Sequence, residues 1–436
     1  MLNVIGIRAE TKDKTQRRAP LAPVHVRDLV RRHGIKVLVE PWPNRIFPDL
    51  DYKKAGAILT RDLTEANIIF GVKEIGVDYL LPGMTYCFFS HTVKEQPYNM
   101  GMLRKIVNDR SSLLDYELVK NPQGKRLIFF GEYAGLAGII DTLWALGKRL
   151  RHEGIRNPFE KIRYATEYKE LNEAKEDFYR VGLEILTKGL PPEIVPLVFG
   201  FTGYGNVTKG ALRLFDILPT ITISAEDYIE LYNRGRLTNK AVYQILFKKS
   251  DLYKPKSSKI KFSTELLNNH PEKFVSGIED LIPHLSVLVN GIYWDERYPR
   301  LVTRKYMFQL YKKSRKHKLK VIGDISCDIN GSVELTVKET NMENPVFTFN
   351  PVNGEVSDGF TGKGPLIMAV DKLPTELPYE ASLSFGDSLL PFVPELAAFD
   401  FSRPVKNSRL SEEMKKAIIV KRGKFVKEFE YLRKHM

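Results

Sequence analysis

The sequence predicts an α/β protein of two doubly wound domains, each with a mostly parallel sheet, and a cleft between them. Three observations predict this class. Short apolar runs of strand length alternate with stretches of helical apolar spacing, which is typical of parallel sheets with crossover helices. The chain has 436 residues, enough for two hydrophobic cores. A glycine turn follows one of the apolar runs near the middle of the chain.

The first sheet is predicted from apolar runs in the early part of the chain. Strands are expected at residues 4–7, 37–39, 68–72, 86–89, 112–114 and 127–129. The longer stretch 133–150 repeats apolar residues such as Leu136, Ile140 and Leu143 at helical spacing. This spacing predicts a helix that joins the two domains.

A second sheet is predicted later in the chain, with strands at residues 197–201, 221–223, 285–290 and 320–325. Residues 380–396 have helical apolar spacing, and the chain is expected to close with a helix that begins after Ser411. Ser411 suits an N-cap, and Glu412 and Glu413 suit the first turn of a helix.

The glycine turn lies between a predicted strand and a predicted helix. The apolar run ends in the turn Gly203-Tyr204-Gly205-Asn206-Val207. In dinucleotide-binding domains such a turn aims the backbone N–H groups of a helix N-terminus at a pyrophosphate. Thr208 stands where a third glycine is usual, and the next glycine is Gly210. Taken alone, the pattern fits either a phosphate-binding turn or an ordinary strand-to-helix turn.

Composition excludes several classes of protein. Cys87 and Cys327 are the only cysteines, too few for a disulfide framework or a cysteine-based zinc site. The longest apolar runs are strand-sized, and residues 1–8 are typical of a first strand rather than of a targeting segment. A cytoplasmic protein without a membrane partner is therefore expected.

The formal net charge of +14 is interpreted as a solvated basic surface that helps to attract anionic substrates. The lysines and arginines are scattered, and no nucleic-acid-binding motif accompanies them. No nucleic-acid partner is therefore expected.

Polar side chains gather where the parallel strands are predicted to end. They lie in the segments 16–23, 71–74, 88–91 and 323–331. Open α/β sheets bind their ligands at the carboxyl ends of the strands. Arginine, lysine, histidine and aspartate side chains are therefore expected to converge on one cleft.

Nine segments occur in the order in which one enzyme family has them, between Val4 and about Leu396: QRRAPLAP, IIFGVKE, FFSHT, LLDYE, FGEYAGLAG, FTGYGNVTKGA, NGIYWDERYPRLVTR, GDISCDINGS and MAVDKLPTELPYEAS. The chain resembles the lysine-ketoglutarate reductases, which form saccharopine and belong to the alanine dehydrogenase and transhydrogenase superfamily. One such segment would be a weak match, whereas nine in order are specific.

This resemblance implies a substrate domain made of residues 1–138 plus 376–436 and a dinucleotide-binding Rossmann domain at 139–375. It implies that lysine condenses with 2-oxoglutarate and that the imine is reduced to saccharopine by NADPH, without a metal. In animals and plants the similar region is the front half of a bifunctional protein. The chain ends at Met436, so a separate enzyme is expected to cleave saccharopine. The oligomeric state is left open, a homo-oligomer included.

By similarity, Lys73 and His91 form the acid–base pair. Amine attack, loss of water and imine formation need several proton transfers, which histidine performs near neutral pH and lysine performs when it is desolvated. Arg18 is expected to clamp a substrate carboxylate, because a guanidinium binds a carboxylate through two parallel hydrogen bonds. Lys125 and Arg126 are expected to help with the remaining carboxylates.

Three acidic residues complete the implied substrate site. Glu74 and Glu117 match acidic positions in some relatives and would raise the pKa of a neighbouring cation, although exposed or helix-capping glutamates fit the sequence as well. Asp328 lies where relatives place an aspartate near the nicotinamide and the substrate.

The cofactor contacts are expected from the glycine turn, Ser224, Tyr293 and Asp328. Ser224 ends the strand predicted after the turn and suits the 2′-phosphate of NADP, whereas Glu226 and Asp227 would repel it. NADP is therefore preferred and NAD is the second choice. Three alternatives remain: an NAD-dependent saccharopine dehydrogenase of the fungal lysine-forming type, an alanine-dehydrogenase-like enzyme, and a non-catalytic nucleotide-binding regulator.

Overall fold

The structure, a computed structural model, describes residues 2–12, 14–314 and 317–436. The chain divides into two compact units. The first unit joins the chain up to Phe130 with Pro378–Met436, and the second unit is Gly131–Leu377. The boundary predicted after residue 138 lies inside a helix that begins at Gly131.

The strands, in chain order, are β1 (Val4–Ile7), β2 (Lys36–Val39), β3 (Ile58–Leu59), β4 (Ile68–Phe70), β5 (Thr85–Phe88), β6 (Ser112–Asp115), β7 (Val198–Thr202), β8 (Thr220–Thr222), β9 (Val242–Leu246), β10 (Tyr253–Pro255), β11 (Phe274–Ser276), β12 (Val287–Asn290), β13 (Val321–Asp324), β14 (Val346–Phe349), β15 (Val356–Asp358), β16 (Leu366–Met368), β17 (Ile418–Lys421) and β18 (Lys424–Phe425).

The α-helices, in chain order, are α1 (Pro23–His33), α2 (Asp49–Lys54), α3 (Met100–Asn108), α4 (Gly131–His152), α5 (Leu171–Lys188), α6 (Asn206–Phe215), α7 (Ala225–Asn233), α8 (Lys249–Leu252), α9 (Thr264–Asn269), α10 (Arg304–Lys313), α11 (Pro378–Leu389), α12 (Val393–Ala398) and α13 (Glu412–Ala417).

Each unit contains one large, mostly parallel sheet. The first has the order β18-β17-β6-β5-β4-β1-β2-β3, with β1 to β6 parallel and β17 and β18 antiparallel. The second has the order β15-β14-β16-β13-β12-β7-β9-β8, in which β14 runs antiparallel to both of its neighbours and the other pairs are parallel. The predicted α/β class with two doubly wound sheets is confirmed.

Two predicted elements differ from the structure. No strand forms at residues 127–129, where Ile128 is buried in the core of the first unit but Leu127 donates its N–H to Val119 in a turn. The closing helix begins after Ser411 as predicted, and the Ser411 hydroxyl accepts the N–H of Met414. This helix ends at Ala417, because the following residues form the buried strand β17.

The second unit contains a very close approach between α4 and α6. A Cβ placed on Gly135 would lie 1.8 Å from the carbonyl oxygen of Val207, and one on Gly210 would lie 2.1 Å from that of Glu132. Only glycine at both positions allows this packing. Within the described residues, no helix is both long and apolar enough to cross a membrane.

Candidate active site

The first unit gathers its ionisable side chains after the carboxyl ends of neighbouring parallel strands. Lys73 and Glu74 follow β4, and His91 follows β5. His91 has a φ of 49°, in the left-handed region that non-glycine residues seldom adopt. Its ring stacks on Phe89 with the ring centroids 6.2 Å apart. The turn after β5 thus fixes the direction of the imidazole.

The carboxylate of Glu74 is the centre of this group. Its Oε1 accepts hydrogen bonds from Lys12 Nζ at 2.5 Å and Asn99 Nδ2 at 3.4 Å, and it lies 3.1 Å from His91 Nδ1. Burial alone would raise the pKa of Glu74, but the bonds to His91 and Lys12 outweigh it and hold the pKa well below its usual range. Glu74 is therefore ionised at neutral pH.

This ionised carboxylate determines which nitrogen of His91 can react. A carboxylate only accepts hydrogen bonds, so His91 Nδ1 carries a hydrogen and donates it to Glu74. The exchangeable proton position is then Nε2, which has no hydrogen-bond partner within the described part of the chain. The side chain is 25% exposed, so Nε2 can meet a substrate.

Glu10, which follows β1, positions the segment that carries Lys73. The N–H groups of Val72 and Lys73 donate to its two carboxyl oxygens at 2.6 and 3.0 Å. Burial raises the pKa of Glu10, although these backbone bonds and the charges of Arg8 and Arg18 oppose the shift. Because both backbone donors are fixed, the Lys73 side chain starts from a defined point at the end of β4.

Asp115, the last residue of β6, holds the turn that precedes His91. Its Oδ2 accepts the N–H of Ser90 at 3.0 Å and also the Ser90 hydroxyl. Its Oδ1 accepts the N–H of Glu117 at 2.8 Å. Burial raises the pKa of Asp115, and the Ser90 hydroxyl opposes this shift. Asp115 thereby links the ends of β5 and β6.

Arg18 is buried beside an aromatic wall. Its Nε donates to Gln16 Oε1 at 2.9 Å, and its guanidinium carbon lies 4.1 Å from the centroid of the Phe130 ring. Phe130 in turn stacks on Phe385 at a centroid distance of 4.7 Å. Only 3% of Arg18 is exposed, so its planar fork is held in one orientation. Such a fork suits a carboxylate.

The two predicted tuning glutamates have different partners. Glu74 contacts His91, whereas Glu117 forms an ion pair with Arg126 at 3.0 Å between Arg126 Nη2 and Glu117 Oε1. The ion-pair partner of Glu117 is therefore Arg126, whereas Glu74 pairs with His91. Lys125 is exposed on the adjacent turn, where its N–H donates to Asn121.

In the second unit, an open cavity of about 770 Å³ surrounds the glycine turn. Its lining comprises Gly131, the segment Gly203-Tyr204-Gly205-Asn206-Val207, the segment Gly291-Ile292-Tyr293-Trp294, Ile325, Ser326 and Asp328. These segments follow the carboxyl ends of β7, β12 and β13. The predicted cofactor contacts at the turn, Tyr293 and Asp328 thus line one cavity.

The two glycines of the turn are favoured for different physical reasons. Gly203 has a φ of +87°, and a Cβ there would lie 2.9 Å from the carbonyl oxygen of Gly291. Gly205 is the N-cap of α6, and a Cβ there would meet no atom within 4 Å. The open space beside Gly205 is where a ligand can approach the backbone, and the N-terminus of α6 favours an anion there.

Thr208 explains the irregular spacing of the motif. Its hydroxyl donates to the carbonyl oxygen of Thr202 at 2.9 Å, tying α6 to the end of β7. The glycine that permits close packing of α6 lies later, at Gly210, because its neighbour there is the helix α4. A third glycine at position 208 is therefore not needed.

Beneath the cavity, a buried network of neutral groups and one acid joins three strand ends. Asn290 Oδ1 accepts the Thr202 hydroxyl at 2.6 Å, and Asn290 Nδ2 donates to Asp324 Oδ1 at 2.8 Å and to Ser332 at 2.9 Å. Asp324 also accepts the Thr336 hydroxyl at 2.5 Å. Burial raises the pKa of Asp324.

Two predicted cofactor contacts are accessible in this cavity. Tyr293 is 88% exposed, and Asp328 is exposed as well. Partial burial raises the pKa of Asp328, and a hydrogen bond with Ser326 opposes the shift. Trp294, by contrast, is engaged locally through its ring N–H, which donates to Pro299 at 3.1 Å.

Ser224 was expected to contact the cofactor because it ends the strand that follows the glycine turn along the chain, but that strand, β8, is not the neighbour of β7 in the sheet. The neighbour is β9, and β8 lies beyond it at the edge of the sheet. The Ser224 hydroxyl caps α7 by accepting the N–H of Asp227 at 3.1 Å, and it donates to the Asp227 carboxylate. Ser224 therefore does not line the cavity at the turn.

The segment after β9 takes the position beside the turn. It comprises the exposed residues Lys248, Lys249 and Ser250, followed by Asp251. The charge of Asp251 reaches Tyr204, whose pKa is raised mainly by burial and further by this charge. In doubly wound sheets, the strand adjacent to the glycine-turn strand carries the ribose contacts.

Three residues that position Lys73 and Glu74 were not predicted from the sequence, namely Glu10, Lys12 and Asn99. Glu10 and Lys12 follow the first apolar run directly, so strand-end position was a usable signal for both. Asn99 precedes α3 and carries no such signal. Within the described ranges, no group of three or more histidine, cysteine, aspartate or glutamate residues could hold a metal ion.

Several known proteins and one protein family are similar to this chain. The family described as alanine dehydrogenase/PNT, N-terminal domain, matches residues 6–137. The L-alanine dehydrogenase structure aligns over 99% of each chain with a TM-score of 0.63 and 18% identity. A transhydrogenase from Sinorhizobium meliloti aligns over 97% of this chain and all of its own, with a TM-score of 0.59 and 15% identity. At these identities the structures show the fold alone.

Curated relatives are more similar in sequence. The alpha-aminoadipic semialdehyde synthase of Arabidopsis thaliana is 39% identical across 98% of this chain and 41% of its own length. The mitochondrial enzyme of that name from Bos taurus is 35% identical across 99% of this chain and 48% of its own length. The chain thus spans about half the length of these relatives.

A second group of relatives matches from end to end. The NAD(+)-dependent, L-lysine-forming saccharopine dehydrogenase of Candida glabrata is 27% identical across 90% of this chain and 91% of its own length. The chain is therefore similar in sequence to the alpha-aminoadipic semialdehyde synthases and the saccharopine dehydrogenases over at least 90% of its length, and its residues 6–137 match the N-terminal domain of the alanine dehydrogenases.

Proposed function

We propose that this protein is a saccharopine-forming oxidoreductase, which condenses L-lysine with 2-oxoglutarate and reduces the resulting imine. The observation that carries the proposal is the fixed His91, whose Nδ1 is engaged by ionised Glu74 and whose Nε2 remains accessible beside the segment of Lys73. The end-to-end similarity to saccharopine dehydrogenases supports the same reaction.

The residues of the first unit suit the proton transfers of this reaction. The ε-amine of the substrate must lose a proton before it attacks the ketone, and the carbinolamine must gain a proton before water leaves. His91 Nε2 can accept the first proton and return it, while Glu74 stabilises the imidazolium that forms in between. Lys73 is proposed as the second acid–base group. A nicotinamide cofactor, when bound, supplies the hydride.

The substrate carboxylates need fixed cations. Arg18 is proposed as the main clamp, because its guanidinium is held between Gln16 and Phe130 and rigid forks lose little entropy on binding. Arg126 and the exposed Lys125 are proposed as weaker contacts.

We propose NADP as the preferred cofactor. Two lysines and a serine, Lys248, Lys249 and Ser250, follow the strand next to the glycine turn. Ammonium and hydroxyl groups suit a 2′-phosphate. NAD is the second candidate, because Asp251 is close enough to affect Tyr204 and an acid near the turn suits a free ribose 2′-hydroxyl.

The activity is tested by following oxidation of NADPH and NADH with lysine and 2-oxoglutarate, each omitted in turn, and by identifying the product by mass. Oxidation is expected only with both substrates, and the product should be saccharopine. Oxidation with pyruvate and ammonia in the absence of lysine would instead indicate an alanine-dehydrogenase-like enzyme. Cofactor binding without any turnover would indicate a regulator.

The cofactor choice is tested with the double variant K248A/K249A. Its KM for NADPH should rise about tenfold, the effect of losing a contact worth about 1.4 kcal/mol, while its KM for NADH should stay the same. The matched control is S224A, which should change neither value. A larger effect of S224A than of the double variant would contradict the assignment.

A cytoplasmic location and a homo-oligomeric state stay predictions. Cell fractionation tests the first, and light scattering of the purified protein tests the second.

A further inference from the structure

A strongly basic cavity lies in the first unit, away from the residues described above. Its volume is about 690 Å³, and it is lined by Arg110, Lys421, Arg422, Lys424, Phe425 and Val426. Four of these six side chains are cations, and no acidic side chain lines the cavity. Such a concentration of one charge in a concave site attracts anions.

The backbone holds two of the arginines side by side. Arg110 and Arg422 have φ values of 52° and 47°, a region that costs a non-glycine residue free energy. The N–H of Arg422 donates to the Ser112 hydroxyl at 3.0 Å, and the N–H of Gly423 donates to the carbonyl of Ser111 at 2.8 Å. These bonds lock the turn at Arg422 against the turn at Arg110.

Two nearby acids form their ion pairs with cations outside the cavity lining. Asp109 is paired with Lys105 at 2.7 Å, and Asp400 with Arg403 at 3.4 Å. Across the described ranges, the side chains of Arg110, Arg422 and Lys424 form no hydrogen bond or ion pair. Lys421 donates to the carbonyl of Arg403, and its pKa is lowered by burial and by the charge of Arg422, although the charge of Asp400 opposes this shift.

We propose that this basic cavity binds an anion that carries several phosphate groups. Its size falls within the range of small-molecule sites, and arginine forks match phosphate oxygens in pairs. Phe425 and Val426 add an apolar wall beside the cations. The cavity lies before the amino end of β6, whereas Asp115 and Glu117 lie at its carboxyl end. The cavity is therefore separate from the proposed substrate site.

The test uses the double variant R110G/R422G. Glycine adopts positive φ without strain, so this variant removes both guanidinium groups while keeping the backbone. The control variant K53Q/R61Q removes two exposed charges elsewhere in the same unit. Binding of tripolyphosphate, ATP and citrate to each full-length protein is measured by isothermal titration calorimetry, with saturating NADPH present so that the glycine turn is occupied.

Wild-type protein and K53Q/R61Q should bind tripolyphosphate saturably and equally, with affinity that falls as salt rises. R110G/R422G should bind it at least tenfold more weakly, with an unchanged melting temperature. Equal binding of ATP would identify nucleotides as occupants, and binding of tripolyphosphate alone would identify inorganic polyphosphate. Absent binding, equal binding by R110G/R422G, or citrate binding as tight as that of tripolyphosphate would each overturn the proposal.

Discussion

The two units differ in the side chains that lie at the carboxyl ends of their central parallel strands. In the first unit, the strand ends carry the ionisable Lys73, Glu74 and His91, and the pKa of Glu74 lies well below its usual range. In the second unit, β7 and β12 end in the neutral Thr202 and Asn290. Proton transfer needs groups that titrate, whereas a pyrophosphate held by backbone N–H groups needs none.

The same comparison explains how each unit treats a buried acid at a strand end. Asp115 in the first unit and Asp324 in the second both have a pKa raised by burial. Asp115 uses its oxygens to fix the turn before His91, while Asp324 binds Asn290, Ser326 and Thr336 beneath the cavity. An uncompensated carboxylate beneath a bound pyrophosphate would repel it.

Removing the titrating groups of the first unit should have the largest effect. K73M and H91A are each expected to lower kcat by about 10²-fold or more, because each removes one of the two proposed acid–base groups. Their affinity for NADPH, measured by fluorescence titration, should stay within about twofold of the wild type, since the glycine turn belongs to the other unit. The pH profile of kcat should also lose one limb.

An unchanged kcat and pH profile in both variants would remove Lys73 and His91 from the mechanism. Loss of NADPH affinity in either variant would show that cofactor binding also depends on residues of the first unit.

The two glycines of the turn provide the next test. G205A should weaken NADPH binding about tenfold, since its Cβ meets no protein atom but occupies the approach to the backbone. Its melting temperature should be unchanged. G203A should instead lose about 1–2 kcal/mol of folding stability, because alanine is strained at a φ of +87°. Calorimetry and fluorescence titration measure both effects.

If G205A bound NADPH as tightly as the wild type, the turn would be an ordinary strand-to-helix connection. If G203A kept full stability, the strain assigned to its φ would be wrong.

The sequence predicted the fold class well, since apolar runs and their spacing report burial directly. It also placed Lys73, His91 and Asp328 at strand ends, where the structure has them. Spatial strand order was not predictable in the same way. The chain order β7, β8, β9 becomes β7-β9-β8 in the sheet. The position of Ser224 along the chain therefore did not indicate its distance from the glycine turn.

Side-chain contacts between segments that are distant in the chain were also not predictable from the sequence. Nothing local to Glu10 shows that its carboxylate binds the N–H groups of Val72 and Lys73, which are about 60 residues away in the chain. Nor does the sequence show that Glu117 pairs with Arg126 rather than with the histidine. The first result depends on which strands become neighbours in the sheet, and the second depends on how the segment after β6 folds back on itself.

The ionised cluster of the first unit should respond to acid. E74Q should lower the free energy of unfolding by about 1.5–3 kcal/mol at pH 7, because hydrogen bonds to a charged group are lost. The pKa of a glutamate in the unfolded protein is about 4.5. Because the pKa of Glu74 is lower than this in the folded protein, its ionised form stabilises the fold at pH values above about 4.5. This stabilisation fades as the pH falls below that value. The difference between wild type and E74Q in urea unfolding should therefore shrink between pH 6 and pH 3. A constant difference would contradict the ionised state of Glu74.

A buried pair of acids in the second unit should respond in the opposite direction. Asp141 and Glu376 are almost fully buried. Asp141 accepts the N–H of Ala165 at 3.0 Å, and Glu376 accepts the hydroxyl of Tyr164. Burial, together with repulsion from Glu376, raises the pKa of Asp141 well above its usual value. Burial therefore favours a proton bound to this pair in the folded protein.

The smallest expected effect is that of D141N on stability at alkaline pH. A raised folded pKa means that the folded state holds a proton that the unfolded state releases above about pH 4, so stability falls by up to about 1.4 kcal/mol per pH unit. Asparagine cannot ionise and can donate to Glu376, so D141N removes this decline. Relative to wild type, D141N should gain up to about 1.4 kcal/mol in urea unfolding between pH 7 and pH 8, whereas E74Q should show no such gain. If D141N and wild type kept the same difference at every pH, both acids of the pair would be ionised in the folded protein. The second unit would then carry two negative charges at its most deeply buried pair of acids, and the contrast between a charged first unit and a neutral second unit would be wrong.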